Sequence, residues 1–237
     1  MMPLHLYSRP KIGFLSTNKL KNINIMKLKN KHSTALPGLS IKQNRSKKTY
    51  DALITTGFQL LKKQEFDSIT VAKLSQSAGY SVGAFYARFR SKDEFFDAMV
   101  THHLVDRKAF VDHLFSTLHN DDLIDELIKD MVHYFWINHK FWRAALVRST
   151  RDPGFWVPIR QSGHDLASRV IARLSEQANR PLTDLEKTNV RFAFQIIFGT
   201  INNTIINQPG PIFMNQKLFL EKLSRSFRLV SDCDNIV

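Results

Sequence analysis

The chain is poor in cysteine, has no acidic residue in its first fifty positions, and lacks a long apolar run. A single cysteine, Cys233, excludes an internal disulfide and a cysteine-built zinc site, and it fits a reducing, cytoplasmic setting. No stretch approaches the ~18 apolar residues that span a bilayer. The longest, Phe192 to Ile201, is interrupted by Gln195 and Gly199, so no membrane partner is expected. Also missing are a glycine-rich phosphate loop, a nucleophile elbow and a paired-carboxylate motif. Gly163-His164-Asp165 falls inside a helical pattern rather than a catalytic loop. The expectation is therefore a non-enzyme without a cofactor.

What is present is unevenly placed. The formal charge is +13, yet residues 1–50 hold nine lysines, two arginines and no acid, so eleven of the thirteen excess charges lie there. The basic excess belongs to an arm and not to the whole surface. Residues 1–44 carry Pro3, Pro10, Gly13, Pro37 and Gly38 without a sustained period, and they read as a mostly disordered tail. No apolar region follows the early charges, which argues against a secretory signal. The lack of acids also suits a transit peptide, though arginine is scarce, and a start at Met26 is a third reading.

From Arg45 onward the pattern is helical and no strand is expected. Leu53, Gly57, Leu60 and Leu61 have 3.6-residue spacing, predicting a helix over 47–64. Thr70 stands before Val71, Leu74 and Ala78 as an N-cap, and Gly79 closes that short second helix. Ser81 opens a third, with Phe85 and Phe89 on one face. Ser91, with Asp93 and Glu94 behind it, opens a long fourth helix ending near His119. Asp121 and Asp122 start a fifth, and shorter helices follow over 141–149 and 158–178. Thr183 to Glu186 is a capping box before an apolar helix, and a last amphipathic helix spans 215–230.

Two short helices separated by Gly79-Tyr80 form a helix-turn-helix pattern, whose second helix enters the major groove of DNA. Phe85 and Phe89 suit its inward face. Ser81, Val82, Gly83 and Ala84 are small residues where bases are read, and Tyr86, Arg88 and Lys92 have the reach for phosphates. The string TVAKLSQSAGYSVGAFYARFRSKDEFF resembles the DNA-binding segment of TetR-family transcriptional regulators, over about residues 47 to 100. Thr70, Gly79, Ser81, Gly83, Phe85, Tyr86, Phe89 and Lys92 match without a gap. The resemblance implies an all-α fold of about nine helices: a three-helix helix-turn-helix domain at 45–92, then a ligand-binding and dimerisation bundle at 93–237. It also implies that Thr70 and Lys92 bind phosphate, that Ser81, Val82 and Ala84 face bases, and that Gly83 allows close approach. Tyr86 and Arg88 then contact the backbone, joined by Arg45, Lys47 and Lys48 from the basic arm. Blander roles stay open for Tyr86 as a partly buried aromatic, Arg88 as a solvated charge, and Lys92 as the partner of an acid.

Three departures stand out. Glu65 occupies a place where the family usually has glycine, which predicts a different turn or a strained residue. Gly57 sits inside the first helix and should weaken it by up to ~1 kcal/mol relative to alanine. Val82 and Ala84 offer no hydrogen bonds, so base reading leans on thymine methyl contacts and on other side chains.

In the second domain, Met99, His103, Phe110, Met131, Phe135, Trp142, Phe155, Trp156, Gln195 and Phe198 are the candidates for an apolar or aromatic effector cavity. Phe194, Ile197, Ile201 and Ile205, with Leu220, Leu223 and Phe227 on the last helix, are the candidates for a homodimer interface. His102, His103, His113 and Asp106 could be imagined as a metal cluster, but the spacing is common by chance and no metal is expected. The function expected is a repressor released from a palindromic DNA operator by a small molecule. The alternative is a DNA-binding regulator whose second domain takes a protein partner, and a third is an enzyme that retains the fold.

Overall fold

The computed structural model describes residues 41–117 and 123–236. Most of the expected arm, the end of helix four at His119, and the Asp121-Asp122 start of helix five lie outside the described residues. The chain divides into two compact units, Met1–Lys47 and Lys48–Val237. The expected division between 92 and 93 falls at the first residue of a long helix inside the second unit.

Among the described residues there are nine α-helices and no strand: α1 Ile41–Leu61, α2 Val71–Ser77, α3 Val82–Tyr86, α4 Lys92–Thr117, α5 Leu123–Ile137, α6 His139–Arg151, α7 Val157–Gln177, α8 Asp184–Asn207 and α9 Lys217–Ser231. The expected all-α class is what the structure has. Boundaries differ most in α1, which begins at Ile41 where the basic arm was expected to continue, and stops at Leu61. Three-residue helical turns at Phe66–Ser68 and Cys233–Asn235, and a four-residue one at Pro153–Trp156, fill the links.

The helix starts follow local chemistry. Thr70 Oγ1 accepts the Lys73 N–H at 3.1 Å, Ser81 Oγ the Ala84 N–H at 3.1 Å, and Ser91 Oγ the Glu94 N–H at 3.0 Å. Each satisfies an amide that the helix itself leaves open. Gly79 closes α2 at φ +78°, a left-handed conformation that glycine adopts without a Cβ penalty. Thr183 and Glu186 form a full capping box, and a bidentate ion pair from Arg180 at 2.7 and 2.9 Å holds the Glu186 carboxyl down at about 2.

Glu65 is not strained. Its φ of −68° is ordinary extended backbone, so the turn after α1 differs from one that needs glycine. Gly57 is a packing requirement rather than a weakness. A Cβ there would sit 2.7 Å from Phe95 Cζ and 2.9 Å from Met99 Sδ, so the missing side chain lets α4 lie close against α1.

The core is continuous through the second unit. At its start, Leu53 and Ile54 of α1, Leu74 of α2, Phe85 and Phe89 around α3, and Phe95 and Phe96 of α4 are all buried. At its end, α8 and α9 pack together, with Phe194 and Phe227 edge to face at 5.0 Å. No helix among the described residues is long and apolar enough to cross a membrane.

Candidate nucleic-acid interface

Helix α3 has only five residues, too few to hold its shape alone. Its position comes from two phenylalanines. Phe85 and Phe89 are fully buried, lie tilted against each other at 5.3 Å, and meet Phe95 of α4 at 5.5 and 5.1 Å. Tyr50 of α1 closes over Phe89 at 5.4 Å. Burying a phenylalanine contributes roughly 1.5–3 kcal/mol, so these contacts outweigh the propensity deficit of a one-turn helix.

Fixing that face inward turns the other outward. Val82 is 41% exposed and Tyr86 54% exposed, and Ser81, Gly83 and Ala87 are exposed beside them. The polar candidates are more occupied than their spacing suggested. The hydroxyls of Ser81 and Thr70 serve as helix caps. Arg88 folds back, its Nη1 donating to the Ala84 carbonyl at 2.8 Å. Ala84 itself is half-buried.

Lys92 is also engaged, though not with an acid side chain. Its ammonium donates to the Asp67 carbonyl at 3.2 Å and lies 4.4 Å over the Phe66 ring. Partial burial lowers its pKa, against the charges of Asp67 and Asp93. The cation that sequence reasoning passed over is Arg90. Only its backbone N–H is used, by Glu94 Oε2 at 2.6 Å; the residue is exposed, and its guanidinium makes no bond to a described residue. Arg45, Lys47 and Lys48 are exposed on the opening turns of α1.

The long α4 joins the recognition segment to the later helices. Near its start Arg148, from the end of α6, is only 16% exposed and reaches three carboxylates: Asp97 at 3.4 Å, Asp152 at 3.3 Å and Asp93 at 4.0 Å. Burial raises the Asp97 pKa, and the Arg148 charge opposes that.

Of the effector candidates, five come together. His103 faces Trp142 at 5.6 Å; Trp142 meets Phe135 at 4.8 Å and Trp156 at 6.5 Å; Phe135 meets Phe198 at 6.3 Å. Phe58, Tyr134 and Phe141, absent from the sequence-based set, complete the cluster around His103. Burial, with the nearby Arg107 charge, depresses the His103 pKa to about 3, so its imidazole is neutral. Tyr134 Oη pairs with its Nδ1 at 3.1 Å. His103 Nε2 and the indole N–H of Trp142 are buried without a hydrogen-bond partner among the described residues.

The other candidates go elsewhere. Gln195 is exposed on α8, because its position falls on the side of that helix turned from the core. Phe110 lies under the Arg107 guanidinium at 5.0 Å. Met99 is packed beneath Gly57, Met131 is buried, and Phe155 stacks on Phe96 at 6.0 Å. A notch beside Phe58 and Phe141 measures about 30 Å³, the space of a single water.

The dimer candidates lie mostly on inward faces. Phe194, Ile197, Ile201, Ile205, Leu223 and Phe227 are buried inside the protomer, and only Leu220 is half-buried. The strongest apolar stripe of each helix is claimed by the chain's own core. Between the outer sides of α8 and α9 runs an open groove of about 550 Å³, lined by Ile196, Gly199, Thr200, Asn203 and Ser226 among others. Phe192, 51% exposed, lies on the same helix. His102 and Asp106 pair at 3.4 Å, but no three metal-binding side chains converge among the described residues.

Comparison with known proteins agrees with this layout. The model of the family described as bacterial regulatory proteins, tetR family, matches residues 53–99. An uncharacterised HTH-type transcriptional regulator, YwcC, of Bacillus subtilis (strain 168) is 28% identical over 107 residues, 42% of this chain and 48% of that protein. The chain thus spans about half the length of that relative. Among solved structures, a TetR transcription regulator from Haloarcula marismortui ATCC 43049 superposes with a TM-score of 0.60 at 15% identity, covering 78% of this chain and 96% of that one. GusR of Salmonella enterica gives 0.57 at 14%, covering 82% and 99%. The fatty acid degradation regulator FadR of Bacillus halodurans gives 0.52 at 16%, covering 76% and 94%. At these identities the structural likeness is one of fold. The segment matched by the family model builds α2, its turn and α3, and over it the chain is similar to the TetR family of transcriptional regulators.

Proposed function

We propose that this chain is a homodimeric DNA-binding repressor, released from a palindromic operator by a small aromatic or apolar molecule. The observation that carries the DNA reading is α3 itself. A five-residue helix is held by two buried phenylalanines while Val82, Gly83 and Tyr86 face outward. That arrangement spends core contacts on presenting a surface that the fold does not otherwise use. Tyr86 and Arg90 are the groups for phosphate, with Lys48 contributing charge. Thr70 and Lys92 contribute only where their internal bonds exchange for a phosphate oxygen.

The effector reading is supported by the aromatic cluster. In the tautomer where Tyr134 donates to Nδ1, the neutral His103 ring carries its proton on Nε2. That N–H and the indole N–H of Trp142 are then two buried donors without an acceptor, each costing about 1–3 kcal/mol. A carbonyl or carboxylate oxygen on a planar ligand satisfies such donors. Entry requires the rings to part, and α4, which carries His103, begins at Lys92 directly after the recognition segment. The second copy is assigned to the outer groove of α8 and α9, in place of the buried stripe. Recognition helices held ~34–36 Å apart match successive major grooves, and a ligand favouring another separation weakens binding by about 1–3 kcal/mol.

The test is enrichment of genomic fragments on the full chain, followed by affinity measurement on the enriched duplex. Binding that falls steeply with salt and with Tyr86→Ala supports the reading. Absence of enrichment refutes it. A monomer at micromolar concentration by light scattering refutes the dimer.

A further inference from the structure

Several polar groups around α3 already have a partner within the protein, while Tyr86 and Arg90 stay exposed at its far end. Ser81 Oγ is held by the Ala84 N–H at 3.1 Å, and Thr70 Oγ1 by the Lys73 N–H at 3.1 Å. The Arg88 guanidinium is bound at 2.8 Å to the Ala84 carbonyl. The Lys92 ammonium is bound to the Asp67 carbonyl and covers Phe66. On the neighbouring α2, Lys73 Nζ donates to Gln64 Oε1 at 2.6 Å. What projects from the first turn of α3 is the branched side chain of Val82, 41% exposed, next to a residue with no side chain. A Cβ built on Gly83 meets only Ser81 Oγ, at 3.8 Å. The protein therefore leaves open space there, and glycine lets a partner surface come closer than alanine would.

Valine neither donates nor accepts a hydrogen bond. Among the base edges in the major groove, thymine alone presents a methyl group. We infer that the operator is read chiefly through thymine methyl groups packed against Val82, with Gly83 setting the depth at which α3 seats, and that hydrogen bonds to base edges play the smaller part. This rests on the DNA-binding reading above.

The chemistry sets the size of the effect. Losing one buried methyl contact weakens binding about four-fold, and a symmetric pair, one per half-site, roughly fifteen-fold. Because no ion is released in making such a contact, the ratio should hardly change with salt, whereas total affinity should fall steeply.

The experiment uses the full chain and duplexes selected by it from a randomised pool. Each conserved thymine is replaced in turn by deoxyuridine, which removes only the 5-methyl group. The expected result is one or two steps per half-site where this substitution weakens binding by about the factors given. At those steps a 5-methylcytosine·guanine pair should bind more tightly than cytosine·guanine, since it restores the methyl. Val82→Ala should weaken binding to the thymine duplex and erase the difference between thymine and deoxyuridine, with an unchanged melting temperature. Three results would each overturn the inference: deoxyuridine tolerated at every position, a methyl dependence that survives Val82→Ala, or a selected motif without a conserved thymine. A pool that yields no enriched sequence at all overturns the DNA-binding reading as well, which separates the two failures.

Discussion

The buried imidazole of His103 gives the second unit a pH dependence that can be worked out in advance. The folded-state pKa is about 3, against 6.5 for the ordinary group, because burial and the Arg107 charge disfavour protonation. Between those two values the unfolded chain takes up a proton that the folded chain does not. Stability is therefore full above pH 6.5 and is lost as pH falls toward 3. Each pH unit inside that window is worth about 1.4 kcal/mol. From pH 7.5 to pH 5.0 the loss from this residue comes to about 2 kcal/mol, roughly thirty-fold in the unfolding constant. The assay is urea unfolding at the two pH values and at fixed protein concentration, since self-association would shift apparent stability. Comparison with His103→Phe subtracts every other titrating group, and the phenyl ring keeps the packing against Phe58, Phe141 and Trp142. Wild type should lose about 2 kcal/mol more than the variant. Equal losses, or a larger loss in the variant, would refute a buried neutral histidine.

Three further outcomes can be measured on other features of the structure. Gly57→Ala gains about 1 kcal/mol of helix propensity but forces a Cβ into Phe95 and Met99; overpacking costs about 1–3 kcal/mol. Thermal denaturation should therefore show net destabilisation of about 1 kcal/mol, and a stabilised variant would contradict the close approach of α1 and α4. Glu65→Gly should lower stability by roughly 0.5–1 kcal/mol in urea, because the backbone at φ −68° needs no glycine and the unfolded chain gains freedom. Arg90→Ala should lower affinity for the enriched duplex and flatten the slope of log affinity against log salt by about 1–2 per dimer, with the melting temperature unchanged.

Some of the fold and the site is open to reading from the residues, and the reasons differ from element to element. Ser81, Thr70, Ser91 and the Thr183 box are local signals, since a cap depends on three or four neighbouring residues, and all four sit at helix starts. The inward role of Phe85 and Phe89 comes from their i, i+4 spacing and holds. Long-range choices are hidden. Nothing adjacent to Lys92 announces that its ammonium will find the Asp67 carbonyl, twenty-five positions away. The apolar stripe of α8 looks equally suited to a partner copy and to the chain's own core; periodicity marks a buried face without saying what buries it. Arg90 escapes notice because Arg88 and Lys92 seem better placed, and only three-dimensional bonding separates the engaged cations from the exposed one. Gly57 misleads for a similar reason, because its neighbour Phe95 lies far along the chain.

The internal closure of α8 against α9 bears on how such a regulator would be switched off. With Phe194 and Phe227 already packed edge to face within one protomer, a copy that parts from its partner uncovers a surface groove and leaves its interior intact. Separated protomers would persist as folded, reusable subunits instead of being lost to unfolding. Below the dimer dissociation constant, the species able to span both half-sites then scales with the square of chain abundance. Under the dimer reading, halving the amount of protein would thin that species about four-fold by mass action, a second route to a vacant operator alongside the effector.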